Sequence, residues 1–150
     1  MKKILIFGAG RSSIFLFTYL AEHAQKYNWN IKVVDKQKSD FLDKFDITFR
    51  ALNVNEETER DKAVKGADLV ISMLPARFHK LVAQSCLKLS KNLLTASYEN
   101  KEMLAFADEV KSKGLFFLNE CGLDPGLDHM SAMRTINEIK NEGHELLAFE

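Results

Sequence analysis

Lys2-Lys3-Ile4-Leu5-Ile6-Phe7-Gly8-Ala9-Gly10-Arg11-Ser12-Ser13 is the stretch that decides the fold. Its apolar run, Ile4–Phe7, is a strand candidate that ends on a glycine turn, and a second kind of periodicity opens at Ser12. From Ser12 to Gln25 the apolar residues Ile14, Leu16, Phe17, Leu20 and Ala21 fall on one helical face. A strand, a glycine turn and a helix N-terminus in that order make a cradle for a pyrophosphate. Gly8 permits the tight turn, and Gly10 has no side chain to keep an anion from the backbone. Free N–H groups and the helix dipole then favour negative charge there. The third glycine usual in such turns is replaced by Ser13, small enough for close helix–strand packing. Ser12 or Ser13 can also donate a hydroxyl to phosphate, and Arg11 can reach over the ligand.

Working outward, short apolar runs alternate with longer amphipathic ones. Ile31–Asp35, Ile47–Ala51, Leu69–Leu74, Asn92–Thr95 and Leu115–Leu118 read as strands. Glu56–Lys65, ended by Gly66, His79–Leu89, Asn100–Lys113, ended by Gly114, and Pro125–Asn141 read as helices. Strands that are apolar throughout belong in parallel sheets covered on both faces. The alternation therefore predicts an α/β fold, a doubly wound parallel sheet of two mononucleotide-binding halves. The tail Glu145-Leu146-Leu147-Ala148-Phe149-Glu150 starts another strand and stops. The expected organisation is a dinucleotide-binding domain over residues 1–144 and the start of a truncated second domain over 145–150.

A chain of 150 residues, 46% of them hydrophobic, buries roughly 70% of its unfolded surface and suits one domain. Lys plus Arg balance Asp plus Glu at 21 each. That balance argues against nucleic acid or an anionic membrane as partner, since both select a basic excess. The apolar run after Met1-Lys2-Lys3 resembles the start of a secretory signal but stops at Gly8, too soon for one. No stretch reaches the ~20 apolar residues of a membrane span. Cys86 and Cys121 are too few for a disulfide scaffold and suit a reducing cytoplasm, the expected location.

Asp35 ends the second strand, 25 residues after Gly10. An acid there bonds both ribose hydroxyls of an adenosine and repels a 2′-phosphate, which favours NAD. Lys36 and Lys38 follow at once and keep NADP open, because either can pair with that phosphate. A solvated turn acid is the plainer reading of Asp35. After the third strand, Val54 is placed to pack on an adenine and Asn53 to bond its edge; an ordinary loop is the alternative.

Ligands in open α/β sheets bind beyond the carboxyl ends of the strands. Ser72-Met73-Leu74-Pro75-Ala76, Ala96-Ser97-Tyr98 and Asn119-Glu120-Cys121-Gly122-Leu123-Asp124-Pro125-Gly126 all leave strands at that edge. Pro75 fixes the chain, which suits Leu74 and Pro75 to the nicotinamide ribose. Cys121 reads as a small buried thiol, Cys86 as core, and His79 as a surface or capping residue. The four histidines show no zinc spacing, so no metal is expected. Asp124 before Pro125 has a plain reading as helix N-cap, with Asp128 in the first turn, favourable for the dipole.

Four motifs together, Gly8–Ser13, Leu69-Val70-Ile71-Ser72-Met73-Leu74-Pro75, Thr95-Ala96-Ser97-Tyr98 and Gly122-Leu123-Asp124-Pro125-Gly126-Leu127-Asp128-His129-Met130, resemble the N-terminal part of the saccharopine dehydrogenase family. The likeness runs over essentially the whole chain and is strongest to the glutamate-forming type. It implies a Rossmann domain followed by a larger substrate domain. It also implies NAD or NADP as cofactor, a small-molecule substrate such as saccharopine, and hydride transfer in lysine metabolism. Carried over by position, Gly8–Ser13 binds the pyrophosphate, Leu74 and Pro75 lie by the nicotinamide ribose, and Tyr98 and Asp124 fall near the substrate. Any homodimer would form through the missing domain, and this chain alone is expected to be inactive. Two rivals are a related amine or lysine dehydrogenase and a non-catalytic redox-sensing module; the motifs after strands five and six favour an enzyme.

Overall fold

The computed structural model of the chain describes residues 1–148. Six strands, β1 Lys2–Phe7, β2 Trp29–Asp35, β3 Thr48–Ala51, β4 Leu69–Ser72, β5 Asn92–Thr95 and β6 Phe117–Leu118, form one sheet in the order β3-β2-β1-β4-β5-β6. Every pairing is parallel. The order reverses between β1 and β4, so a crevice opens at the carboxyl ends of these two strands. Register places Phe7 beside both Val34 and Ser72, so β1 delivers its glycine turn into that crevice.

The sheet is buried on both faces, as its uniformly apolar strands predict. Leu5 and Phe7 of β1 join Val34, Val70 and Leu93 in one core layer. That layer lies against α2 (Glu57–Lys65) and α3 (His79–Lys88) through Val64, Val82 and Cys86. The alternate residues Ile4 and Ile6 join Ile31, Val33 and Ile71 on the other face. There α1 (Ile14–Tyr27) supplies Phe17 and Leu20, and a short 3-10 turn at Asp40–Lys44 supplies Leu42.

Element boundaries moved in physically intelligible ways. The first helix opens with a 3-10 turn at Arg11–Ser13 and runs on to Tyr27, where Asn28 turns left-handed at φ 55°. The single helix expected over Asn100–Lys113 is two, α4 (Lys101–Leu104) and α5 (Ala107–Ser112). Asn100 caps the first, its side chain accepting from the Met103 N–H. The last helix, α6, spans Leu127–Asn141 instead of starting at Pro125. Residues 145–148 carry no strand, and the rest of the tail expected to begin one, Phe149 and Glu150, lies outside the described residues. Among the described residues, no helix is long and apolar enough to cross a membrane.

Candidate functional site

The glycine turn sits where β1, β2 and β4 converge. Gly8 N–H donates to the Val34 carbonyl at 2.9 Å, and Met73 N–H donates to the Phe7 carbonyl at 2.7 Å. Gly8 has φ 104°, and a β-carbon on it would lie 2.9 Å from the Met73 carbonyl carbon and oxygen. Only glycine fits there. Gly10 differs: its φ is −72°, and a β-carbon would meet nothing nearer than Ser12 Oγ at 4.0 Å. Its bareness therefore serves open space and not packing. Beyond it the first turn of α1 carries no acidic side chain to compete for its N–H groups.

A cavity of about 450 Å³ opens over this turn. Its walls include Gly8, Gly10, Asp35, Val54, Leu74 and Pro75, six of the nine residues expected to hold a dinucleotide. Asp35 Oδ2 accepts the Ala9 N–H at 2.6 Å, and Oδ1 accepts the Lys36 N–H at 2.5 Å. The carboxylate is thus aimed at the turn from the tip of β2. The other three stand elsewhere. Arg11 and Ser12 are exposed outside the cavity wall, while Ser13 is fully buried behind the turn. Ser13 therefore takes the packing role of the third glycine, and its Oγ has no hydrogen-bond partner. Lys36 lines the cavity, whereas Lys38 is paired with Asp43. Asn53 spends its side-chain oxygen on Asn55, accepting from both its N–H and its amide at 3.2 Å. Arg77 and Phe78 also line the wall and were missed. Following the chain past Pro75 to the next charged and aromatic residues would have found them.

Residues 4–118 match the family described as the saccharopine dehydrogenase NADP binding domain. The chain belongs to this family. Among its relatives, alpha-aminoadipic semialdehyde synthase of Rattus norvegicus is 36% identical over 95% of this chain and 15% of its own length. Saccharopine dehydrogenase [NADP(+), L-glutamate-forming] of Schizosaccharomyces pombe is 37% identical over 66% of this chain and 22% of its own. The apo saccharopine dehydrogenase (L-Glu forming) structure from Saccharomyces cerevisiae superposes with a TM-score of 0.83 at 27% identity. It covers 95% of this chain and 32% of that one. The chain thus spans between 9% and 22% of the curated relatives it matches. The expected fold and the likeness to the glutamate-forming type are both borne out.

In this saccharopine dehydrogenase-type domain, Tyr98 and Asp124 lie outside the cavity over the glycine turn and pair with each other. The Tyr98 hydroxyl donates to Asp124 Oδ1 at 2.5 Å. That bond, with burial and the Asp124 charge, pushes the phenol up to about 12. His129 stands edge-on to Tyr98, with ring centroids 6.2 Å apart. Its Nδ1 meets Asp128 Oδ1 at 2.7 Å, and this bond to a carboxylate raises its pKa. Ligand-type atoms of Asp124, Asp128 and His129 lie within 4.8 Å of one another, a cluster that zinc-type spacing did not signal.

Three expectations need correction here. Asp124 is not the cap of α6: Gly126 holds that position, and Asp128 Oδ1 accepts the Gly126 N–H at 3.0 Å. Cys121 is exposed, though Cys86 is buried in α3 as expected. His79 is neither surface nor cap. It is 3% exposed, with Nδ1 at 2.8 Å from Ser72 Oγ and Nε2 at 2.8 Å from Ser97 Oγ. Burial lowers its pKa, so the neutral ring ties the end of β4 to the loop that carries Tyr98.

Proposed function

We propose that this chain is the cofactor-binding part of an oxidoreductase that oxidises the secondary amine of saccharopine with NAD. The observation that carries the reading is Gly10: a bare backbone facing open space on a cavity wall, at a helix N-terminus with no internal carboxylate. A pyrophosphate fits that cradle, held by backbone N–H groups. The Asp35 carboxylate takes the adenosine ribose hydroxyls and disfavours a 2′-phosphate, so NAD is preferred although Lys36 is at hand. Val54 packs on the adenine, and Leu74 and Pro75 hold the nicotinamide ribose. Bound there, the dinucleotide supplies a hydride acceptor.

Tyr98 and Asp124 orient the substrate at the neighbouring edge. The carboxylates of Asp124 and Asp128 favour a cationic amine, and the Tyr98 hydroxyl, whose single proton goes to Asp124 Oδ1 here, turns that proton to a substrate carboxylate when one binds. Closing the site needs chain that a dinucleotide domain over 1–144 does not contain, and 145–150 would lead into it. The two unpaired cysteines suit a reducing compartment such as the cytoplasm. Calorimetric titration of the chain with NADH and NADPH tests the cofactor half. Assay of the chain extended by a relative's substrate domain, with saccharopine and NAD, tests the rest. Binding of neither cofactor overturns the reading, and binding without turnover in the extended protein removes saccharopine.

A further inference from the structure

We infer that Arg60 is a positioning residue for the adenine end of the dinucleotide cavity. The inference rests on the reading that adenine lies against Val54. Arg60 is 4% exposed and is the only Lys, Arg, Asp or Glu buried among the described residues. Burying a fixed charge is costly unless it is paired and hydrogen-bonded, so its partners show what it is for. Nη1 donates to the Val54 carbonyl at 2.5 Å and Nε to Ser85 Oγ at 2.8 Å. Ser85 Oγ in turn donates to Asp61 Oδ1 at 2.5 Å, and Lys88 Nζ donates to Asp61 Oδ2 at 2.7 Å. One chain of bonds, open to solvent at Lys88 and buried at Arg60, therefore runs from α3 and α2 to a single backbone atom of the loop after β3.

That atom belongs to the cavity wall. Leu52, Asn53, Val54 and Asn55 all line it. The loop shapes itself through local bonds: Glu56 N–H to the Asn53 carbonyl at 3.0 Å, and the Asn53–Asn55 side-chain pair. It is anchored to the sheet at one end, where Leu52 N–H donates to the Asp35 carbonyl at 2.8 Å. None of these bonds sets how far Val54 stands over the cavity. The Val54 side chain packs in the core beside Leu52, Ala63 and Val64, and Arg60, its guanidinium bonded to Ser85, ties the Val54 carbonyl to that position. The planar fork bonds two acceptors in a fixed relation, which an ammonium does less rigidly. Arg60 touches no ligand itself; it acts through Val54.

The test is titration of the 150-residue chain with NADH, AMP and nicotinamide mononucleotide, followed by amide shifts in NMR and by calorimetry. Arg60→Met should weaken AMP and NADH at least tenfold and leave the mononucleotide within twofold of wild type. Arg60→Lys, which keeps a donor, should recover AMP binding to within threefold. A merely structural role would not separate the two half-ligands. Unchanged AMP affinity in folded Arg60→Met, or equal weakening of both half-ligands, overturns the inference. If Arg60→Met does not fold, Ser85→Ala decides: it removes the anchor but keeps the cation, and AMP should weaken about threefold, with no change counting against Arg60. A wild-type chain that binds neither NADH nor AMP overturns the cofactor reading itself, a result distinct from wild-type binding with indifferent variants.

Discussion

Gly10→Val should abolish tight dinucleotide binding while sparing the fold. Gly10 has φ −72° and ψ 164°, extended backbone that valine adopts readily. A β-carbon there finds only Ser12 Oγ at 4.0 Å, so nothing in the protein must move. The expected stability change is within about 0.5 kcal/mol, typical of an unhindered surface position. The ligand fares differently. The two γ-methyl groups would project from the cavity wall into the path of the pyrophosphate. Forcing it away breaks charge-assisted bonds to backbone N–H groups, each worth about 1.5–3 kcal/mol. Loss of two such bonds is about 3–6 kcal/mol, a rise in Kd of at least about 100-fold. Calorimetry with NADH reads the affinity, and thermal melting by circular dichroism reads the fold. Gly8→Ala is the contrasting control. At φ 104°, with the Met73 backbone 2.9 Å away, it should unfold the turn first. A folded Gly10→Val chain that binds NADH as wild type does would refute the cradle and leave the glycine turn a structural feature alone.

Three further outcomes are expected. The chain should bind NADH at least tenfold more tightly than NADPH, because a 2′-phosphate would meet the Asp35 carboxylate across a partly desolvated wall; tenfold tighter NADPH would move the credit to Lys36. Burial holds His79 below its ordinary pKa of 6.5, so the unfolded chain takes up a proton that the folded chain resists. Stability from this source is present above pH 6.5 and is lost as pH falls through 6.5 toward the lower folded value; urea unfolding at pH 7.5 and 5.5 should show His79→Gln losing less to acid than wild type, and equal losses would count against a buried neutral ring. Asp124→Ala should bring the Tyr98 phenol down from about 12 toward its ordinary 10 and leave α6 intact, as ultraviolet titration and circular dichroism would show; a helix loss without a phenol shift would restore Asp124 to a capping role, since alanine caps poorly.

What could be read from the sequence was local. Ile4–Phe7, the two glycines and the helix face beginning at Ile14 sit within one continuous stretch, and each obeys its own short-range rule. Apolar strands without alternation carried the sheet's double burial for the same reason. The errors were relationships across distance. A histidine at a helix start reads as polar surface until Ser72 and Ser97, 7 and 18 residues away, close on its two nitrogens. Asp124 before proline reads as a cap until Tyr98, 26 residues back, takes its oxygen. Arg60 sits in a helix of polar composition whose mean character hides one buried cation. The break between Leu104 and Ala107 has no glycine or proline to announce it.

Asp35 carries an obligation that bears on any attempt to re-engineer cofactor choice. Its Oδ2 holds the Ala9 N–H at 2.6 Å, so the side chain proposed to discriminate between cofactors is also a strut of the loop proposed to grip the phosphates common to both. Replacing it with a small neutral residue to admit NADP would leave that amide without its acceptor and slacken the loop. Selectivity and grip are therefore mechanically linked, and a swap at this one position would trade affinity for both nucleotides against preference between them. A successful redesign has to restore an acceptor for Ala9 from somewhere else. The Ser39 hydroxyl, already bonded to the Ala9 carbonyl at 2.5 Å, is the nearest starting point.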